Sequence, residues 1–118
     1  MCDRQWCIFL SSSGEIGESK AMHLKVLGCH GGESPDHRTT AFLIDDCIAI
    51  DAGALVRGLS VDEQAKIDHV FISHIHLDHI QDLAFMADNV LGLRDKPVIV
   101  HATDPTADAL EKHFFKSF

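Results

Sequence analysis

The chain has 118 residues, 46% of them hydrophobic, with seven Phe, one Trp, no Tyr and three Pro. That composition suits one globular core and is too short for two full domains. Ten Lys and Arg against eighteen Asp and Glu give a formal charge of -8; the basic residues are scattered, which excludes the stripe that neutralises nucleic-acid phosphates.

Residues 1–21 read as a flexible N-terminal extension, because "SSSGEIGESKA" is rich in Ser, Gly and Glu and has no period. The opening "MCDRQWCIFL" holds a single basic residue and an apolar run of about five, short of a secretory signal, and no stretch approaches the ~20 apolar residues of a membrane span. A cytoplasmic location and no membrane partner are the expectation. Cys2, Cys7, Cys29 and Cys47 show no C-x-x-C spacing and are expected to be reduced, with Cys29 and Cys47 as small buried hydrophobes.

A domain over residues 22–118 begins at Met22, where "MHLKVLGC" alternates Met22, Leu24 and Val26 with His23 and Lys25, the period of a strand. "CHGGESPDHR" is a turn-rich loop. It leads into "TTAFLID" and "CIAIDAG", a β-hairpin across Asp45-Asp46. "ALVRGL" predicts one or two helical turns, and Ser60 with Glu63 forms a capping box opening a short helix at "VDEQAKI". "HVFIS" is a short strand expected to be buried on both faces. From Ile80, the residues Leu83, Ala84, Ala87 and Leu91 recur at helical spacing and predict a core-facing helix of about three turns. "PVIVHA" reads as a strand opened by Pro97, and "DPTADALEKHFF" as a helix with Asp104 at the N-cap and Pro105 following. The terminal "FFKSF" reads as a core segment.

Between that strand and helix, "SHIHLDHI" packs His74, His76, Asp78 and His79 into six positions. Residues i and i+2 of an extended segment project to one side, so His74 and His76 can grip one cation. Where the backbone curls into a helix, Asp78 and His79 can turn toward a second position a few Å away. Imidazole with carboxylate suits zinc and also serves iron or manganese. Two such ions would lower the pKa of a bridging water to about 7 and polarise a phosphoryl or carbonyl oxygen. The N-terminus of the following helix would favour an anion, and Asp82 in its first turn suits the dipole.

"FISHIHLDHI" resembles the H-x-H-x-D-H signature of the metallo-β-lactamase fold, and Leu77 within "HLDH" is most similar to the class II cyclic-nucleotide phosphodiesterase branch. "LGCHGG", "RTTAFLID" and "IDAG" sit where that branch has a glycine-rich loop and an Arg-Thr-Thr run. The resemblance covers residues 22 to about 114. It implies the N-terminal half of an αββα sandwich: one mostly antiparallel sheet with helices on one face. It also implies His74 and His76 on a first Zn2+, Asp78 and His79 on a second, Asp78 helping to orient the nucleophile, and Asp51 as the carboxylate that braces the histidine loop. The implied reaction is hydrolysis of the 3′ phosphoester of a cyclic nucleotide such as cyclic AMP. Asp82 stands where the branch favours Gly or Ser. The further ligands that the resemblance implies lie on a second half of the sandwich, so a missing C-terminal half or a second chain is expected to complete the site. Other hydrolases of this scaffold, acting on RNA, lactams or thioesters, and a non-catalytic metal-binding fragment remain alternatives.

Among the other histidines, His101 is expected to be partly buried and hydrogen-bonded, His30 and His37 to be exposed loop residues, and His23, His69 and His113 to be structural or exposed.

Overall fold

The computed structural model describes residues 5–9, as backbone, and residues 21–116. Six strands form one sheet in chain order: β1 (Gln5–Phe9), β2 (Ala21–Gly28), β3 (Ala41–Ile44), β4 (Ile48–Ile50), β5 (His69–Phe71) and β6 (Ile99–His101). The first three pairings are antiparallel and the last two parallel. Within the stretch expected to be a flexible arm, β1 therefore forms a strand. The free edge of β2 offers a row of unpaired backbone groups, and Gln5–Phe9 takes them up from Phe9 opposite Ala21 to Gln5 opposite Lys25.

The β3–β4 hairpin turns as its sequence requires. Asp45 and Asp46 adopt φ of 48° and 60°, the left-handed pair of a two-residue hairpin turn, which Asp tolerates better than most residues. Cys47 N–H closes the turn on the Ile44 carbonyl at 3.1 Å, and Asp45 Oδ1 accepts from His23 N–H at 2.8 Å. Parallel strands need a crossover, and α1 (Leu55–Gly58) with α2 (Val61–Gln64) supplies it between β4 and β5. Ser60 Oγ accepts from Glu63 N–H, and the Glu63 carboxylate accepts from Ser60 N–H, completing the capping box.

α3 (Leu77–Ile80) and α4 (Leu83–Asn89) connect β5 to β6. After β6, α5 (Asp104–Ala109) runs into a π-helical segment, Leu110–Phe115. Its N-cap is Thr103 rather than Asp104, which falls in the first turn with Pro105.

Strand alternation sorts the sheet into two faces. Leu27, Ala41, Leu43, Ala49 and Val70 are buried on the inner face. There they join Leu55, Leu59, Ile67, Leu83, Met86, Val90 and Leu110 from the helical side in one cluster, with Phe114 and Phe115 packed on its rim. Each fully buried Leu, Val or Met contributes about 1.5–3 kcal/mol. The helices thus lie on one face, as expected. The outer face carries Leu24, Val26, Phe42, Ile44, Ile48, Ile50, Phe71 and Ile99, all half-buried or exposed.

Two expectations about packing are corrected. β5 is buried on one face only: Val70 is inside, whereas Phe71 on the outer face is 41% exposed, because no described helix covers that side. The predicted three-turn helix is split at Gln81 and Asp82, which rotates the face it buries. Leu83, Met86 and Val90 form the core stripe, while Ala87 is exposed and Leu91 is 80% exposed. The cysteine expectation also fails in part. Cys29 leaves β2 into the loop, where it is exposed and disulfide-bonded; Cys47 is half-buried and free. No helix among the described residues is long and apolar enough to cross a membrane.

Candidate metal centre

The parallel strands β4 and β5 end side by side, and the segments leaving their carboxyl ends build the site. Asp51, directly after β4, has φ of 61° and is buried. That left-handed residue turns "IDAG" across the end of the sheet, where Asp51 N–H donates to the Phe71 carbonyl (2.8 Å) and Ala52 N–H to the His79 carbonyl (2.7 Å). Gly53 is needed at the same junction. A Cβ there would lie 2.7 Å from the Thr40 carbonyl oxygen and 2.8 Å from Thr39 Oγ1, and would overlap the Asp78 carbonyl oxygen. The histidine turn therefore sits directly on the "IDAG" backbone.

After β5 the chain stays extended through His76, the N-cap position of α3. α3 closes after one turn because Asp82 N–H leaves the helical pattern and donates to the Ala52 carbonyl at 2.9 Å. The helix expected to begin near Ile80 thus starts inside the cluster and has four residues. So short a run sums few peptide dipoles, and the expected anion-favouring helix N-terminus is not built.

The turn gathers the three rings. His74 lies 4.5 Å from His76 and 4.0 Å from His79, centroid to centroid. His79 Nδ1 meets Asp51 Oδ2 at 2.7 Å, and its Nε2 faces Asp78 Oδ2 at 3.3 Å. Asp51 Oδ1 also accepts from Ser73 N–H at 2.8 Å, and Ser73 Oγ bridges Asp51 to His74 Nδ1 at 2.9 Å. Asp51 thus fixes one ring nitrogen of His79 and presents the other toward Asp78. The structure brings together all five residues predicted for the site, although Asp51 touches only His79 among the histidines.

Donor chemistry and donor count give different answers for a metal. Two ligand atoms bonded at 2.0–2.2 Å to a tetrahedral ion stand about 3.4 Å apart, close to the 3.3 Å between His79 Nε2 and Asp78 Oδ2. The pair fits a zinc-like cation. Among the described residues, however, no group of three or more His, Cys, Asp or Glu side chains is arranged to hold one. The residues supply the nitrogen and carboxylate donors of such a centre without closing it.

Ser73 and Gln81 are partners that the sequence reading did not single out. The Gln81 side-chain amide donates to Glu33 Oε2, Thr39 Oγ1 and the Gly53 carbonyl, each at 3.0 Å. Glu33 also pairs with Arg57 of α1. This ties the 29–38 loop to the histidine turn, and a Cβ on Gly31 would stand 3.9 Å from Asp78 Oδ2. His30 and His37 stack edge to face at 4.3 Å on that loop, His37 exposed and His30 half-buried. Asp82 is buried, not at the surface for the dipole: Oδ2 accepts from Val56 N–H at 3.0 Å and caps α1, which has no cap of its own. Burial pushes its carboxyl above the ordinary value of 3.8, against the lowering effect of that hydrogen bond. His101 is half-buried and meets His69 at 3.0 Å, in line with the expectation of a hydrogen-bonded side chain.

No curated protein matches the chain. Among solved structures, the metallo-β-lactamase fold protein YhfI from Bacillus subtilis matches with a TM-score of 0.62 and 24% identity, over 77% of this chain and 42% of that one. This is a likeness of fold, and the chain spans less than half the length of that structure. The β-lactamase superfamily domain model matches residues 40–118. That range runs from the β3–β4 hairpin through the histidine turn to the C-terminal helices, and with two thirds of the sequence inside it, the chain belongs to the β-lactamase superfamily domain family.

Proposed function

We propose that the chain is the N-terminal part of a metal-dependent phosphodiester hydrolase, with a 3′,5′-cyclic nucleotide as substrate. Family membership supports metal-dependent hydrolysis at the coarse level; the resemblance of "SHIHLDHI" supports the phosphodiester. The observation that carries the reading is the arrangement of His79, with Nδ1 held by buried Asp51 at 2.7 Å and Nε2 turned to Asp78 at 3.3 Å. A carboxylate on the far nitrogen of an imidazole sets the tautomer that leaves the near nitrogen with a lone pair for a cation. His74, His76, Asp78 and His79 would hold the divalent metal, by default zinc, which when bound supplies hydroxide at neutral pH. Asp78 orients the nucleophile. The cation also offsets the chain's own charge of -8, which would otherwise repel a phosphodiester.

The test compares hydrolysis of cyclic AMP, a bis-aryl phosphodiester and a β-lactam, each with and without added zinc. Zinc-dependent turnover of the cyclic nucleotide that Asp78→Asn abolishes supports the reading. Turnover of the lactam alone refutes the substrate. A second reading, a non-catalytic metal-binding module, rests on the His79 Nε2–Asp78 Oδ2 pair, spaced for a cation with no third donor arranged beside it among the described residues. It predicts zinc binding lost in His76→Ala with no turnover of any of the three compounds.

A further inference from the structure

Within the 29–38 loop, Gly31 and Gly32 are glycines that the fold does not require. At Gly28 a Cβ would overlap the Thr39 carbonyl oxygen, and at Gly92 φ is 80°, so the backbone dictates glycine there, as it does at Gly53. Gly31 and Gly32 have no left-handed φ, and a Cβ on Gly32 would meet nothing within 4 Å. Apart from its own chain neighbours, a Cβ on Gly31 would approach a single atom, Asp78 Oδ2, at 3.9 Å, an ordinary van der Waals contact. That oxygen is the one that faces His79 Nε2 at 3.3 Å. A larger side chain at position 31 would start beside it and fill the space over the Asp78–His79 pair.

The loop that borders this gap is braced. Cys29 N–H and His30 N–H both donate to the Arg38 carbonyl, at 3.1 and 3.0 Å, and Ser34 and His37 exchange backbone hydrogen bonds of 3.0 and 3.2 Å. Glu33 accepts from the Gln81 amide at 3.0 Å and pairs with Arg57, which anchors the loop to the segment that carries Asp78 and His79. The guanidinium also offsets the negative charge that Glu33 brings to this side of the gap.

We propose that Gly31 is a specificity-determining residue of the proposed hydrolase, its missing side chain leaving room beside Asp78 for the bulkier ester group of a phosphodiester. This rests on the hydrolase reading of the histidine turn. Because the loop is held at both its neck and Glu33, it does not recede to admit a large group, and room lost at position 31 is room lost to the substrate. A change of fit the size of one methylene shifts kcat/KM about 10–200-fold where a pocket selects by shape. Small esters do not reach the gap and are indifferent to it.

The test compares two esters that share a leaving group and differ in bulk, bis-para-nitrophenyl phosphate and methyl para-nitrophenyl phosphate, on the intact chain with added zinc. Gly31→Leu is expected to lower kcat/KM for the bis-aryl ester at least about tenfold, through KM, and for the methyl ester less than about threefold. Gly31→Ala, whose methyl group meets no clash, falls between the two and serves alone should Gly31→Leu fail to fold. Zinc affinity, measured by equilibrium titration, is expected to stay within about threefold of the parent, since Gly31 supplies no ligand. Equal losses on both esters, no loss on either, or a matching fall in zinc affinity overturns the assignment, while turnover by the parent leaves the hydrolase reading in place. If the parent turns over neither ester, the hydrolase reading fails and the gap is read by binding. The bis-aryl ester should then shift the ring resonances of His74 and His79 in the parent and not in Gly31→Leu, and shifts equal in the two or absent from both overturn the role of Gly31.

Discussion

Asp51→Asn is the most informative substitution, because it changes one atom at a position whose neighbours are all accounted for. Asparagine tolerates the left-handed backbone at φ 61°, so the turn survives. Its remaining oxygen, in place of Oδ1, still accepts from Ser73 N–H at 2.8 Å, and Ser73 Oγ, which lies 2.9 Å from Oδ1 and 2.7 Å from Oδ2, turns its proton to that oxygen. Its amide replaces Oδ2, however, and confronts His79 Nδ1, now 2.7 Å from a carboxylate oxygen. Two N–H groups cannot face each other at that distance, so His79 must switch tautomer and carry its proton on Nε2, toward Asp78. One charge-assisted hydrogen bond is lost, worth about 1.5–3 kcal/mol. The ring nitrogen left for a cation becomes a donor, and zinc affinity falls about 10–100-fold. Urea unfolding measures the first effect, equilibrium zinc titration the second, and nitrogen shifts of the His79 ring report the tautomer. An unchanged urea midpoint together with zinc affinity within about threefold of the parent would refute the claim that Asp51 sets the state of His79.

Three other outcomes follow from the packing. Asp82 has its carboxyl raised by burial, so the folded state binds its proton more tightly than the unfolded chain. Its contribution to stability is complete below the ordinary value of 3.8 and is lost as pH rises through the folded value. Asp82→Asn keeps an acceptor for Val56 N–H and removes that loss, so its advantage in urea midpoint over the parent should widen from pH 4 to pH 8; a constant difference contradicts the burial account. Leu83→Ala should cost about 2–5 kcal/mol and Leu91→Ala less than about 0.5 kcal/mol by the same denaturation assay, since the first is 1% and the second 80% exposed. Gly53→Ala should destabilise by about 3 kcal/mol or more, measured by thermal unfolding, because its methyl group would meet backbone oxygens of Thr40 and Asp78.

What the sequence revealed and what it hid divide by range. The Asp45-Asp46 turn, the Ser60–Glu63 box and the histidine turn are legible because their partners lie within a few residues. The split of the helix after the cluster is illegible for the opposite reason. Its period is interrupted where Asp82 N–H finds the carbonyl of Ala52, thirty positions earlier in the chain, and no local pattern announces that bond. A separation of 26 positions likewise hides the partner of Asp82, whose carboxylate caps a helix at Val56. Ser73 gives no signal in the sequence, because a lone serine before a histidine cluster has no spacing signature; only the fold shows it joining Asp51 to His74. Exposure on β5 is hidden because a strand of three residues reveals that it alternates but not which of its faces is covered.

β6 closes the sheet with nothing hydrogen-bonded to its far side among the strands described, and Ile99 and Val100 on it are 48% and 38% exposed. An uncapped strand with apolar side chains is a template on which another polypeptide can lay itself and extend the ladder. Lys96 and Pro97, just before it, act as gatekeepers. Self-association of the isolated polypeptide should therefore rise steeply with concentration, start at this margin, and be suppressed by a single lysine in place of Val100.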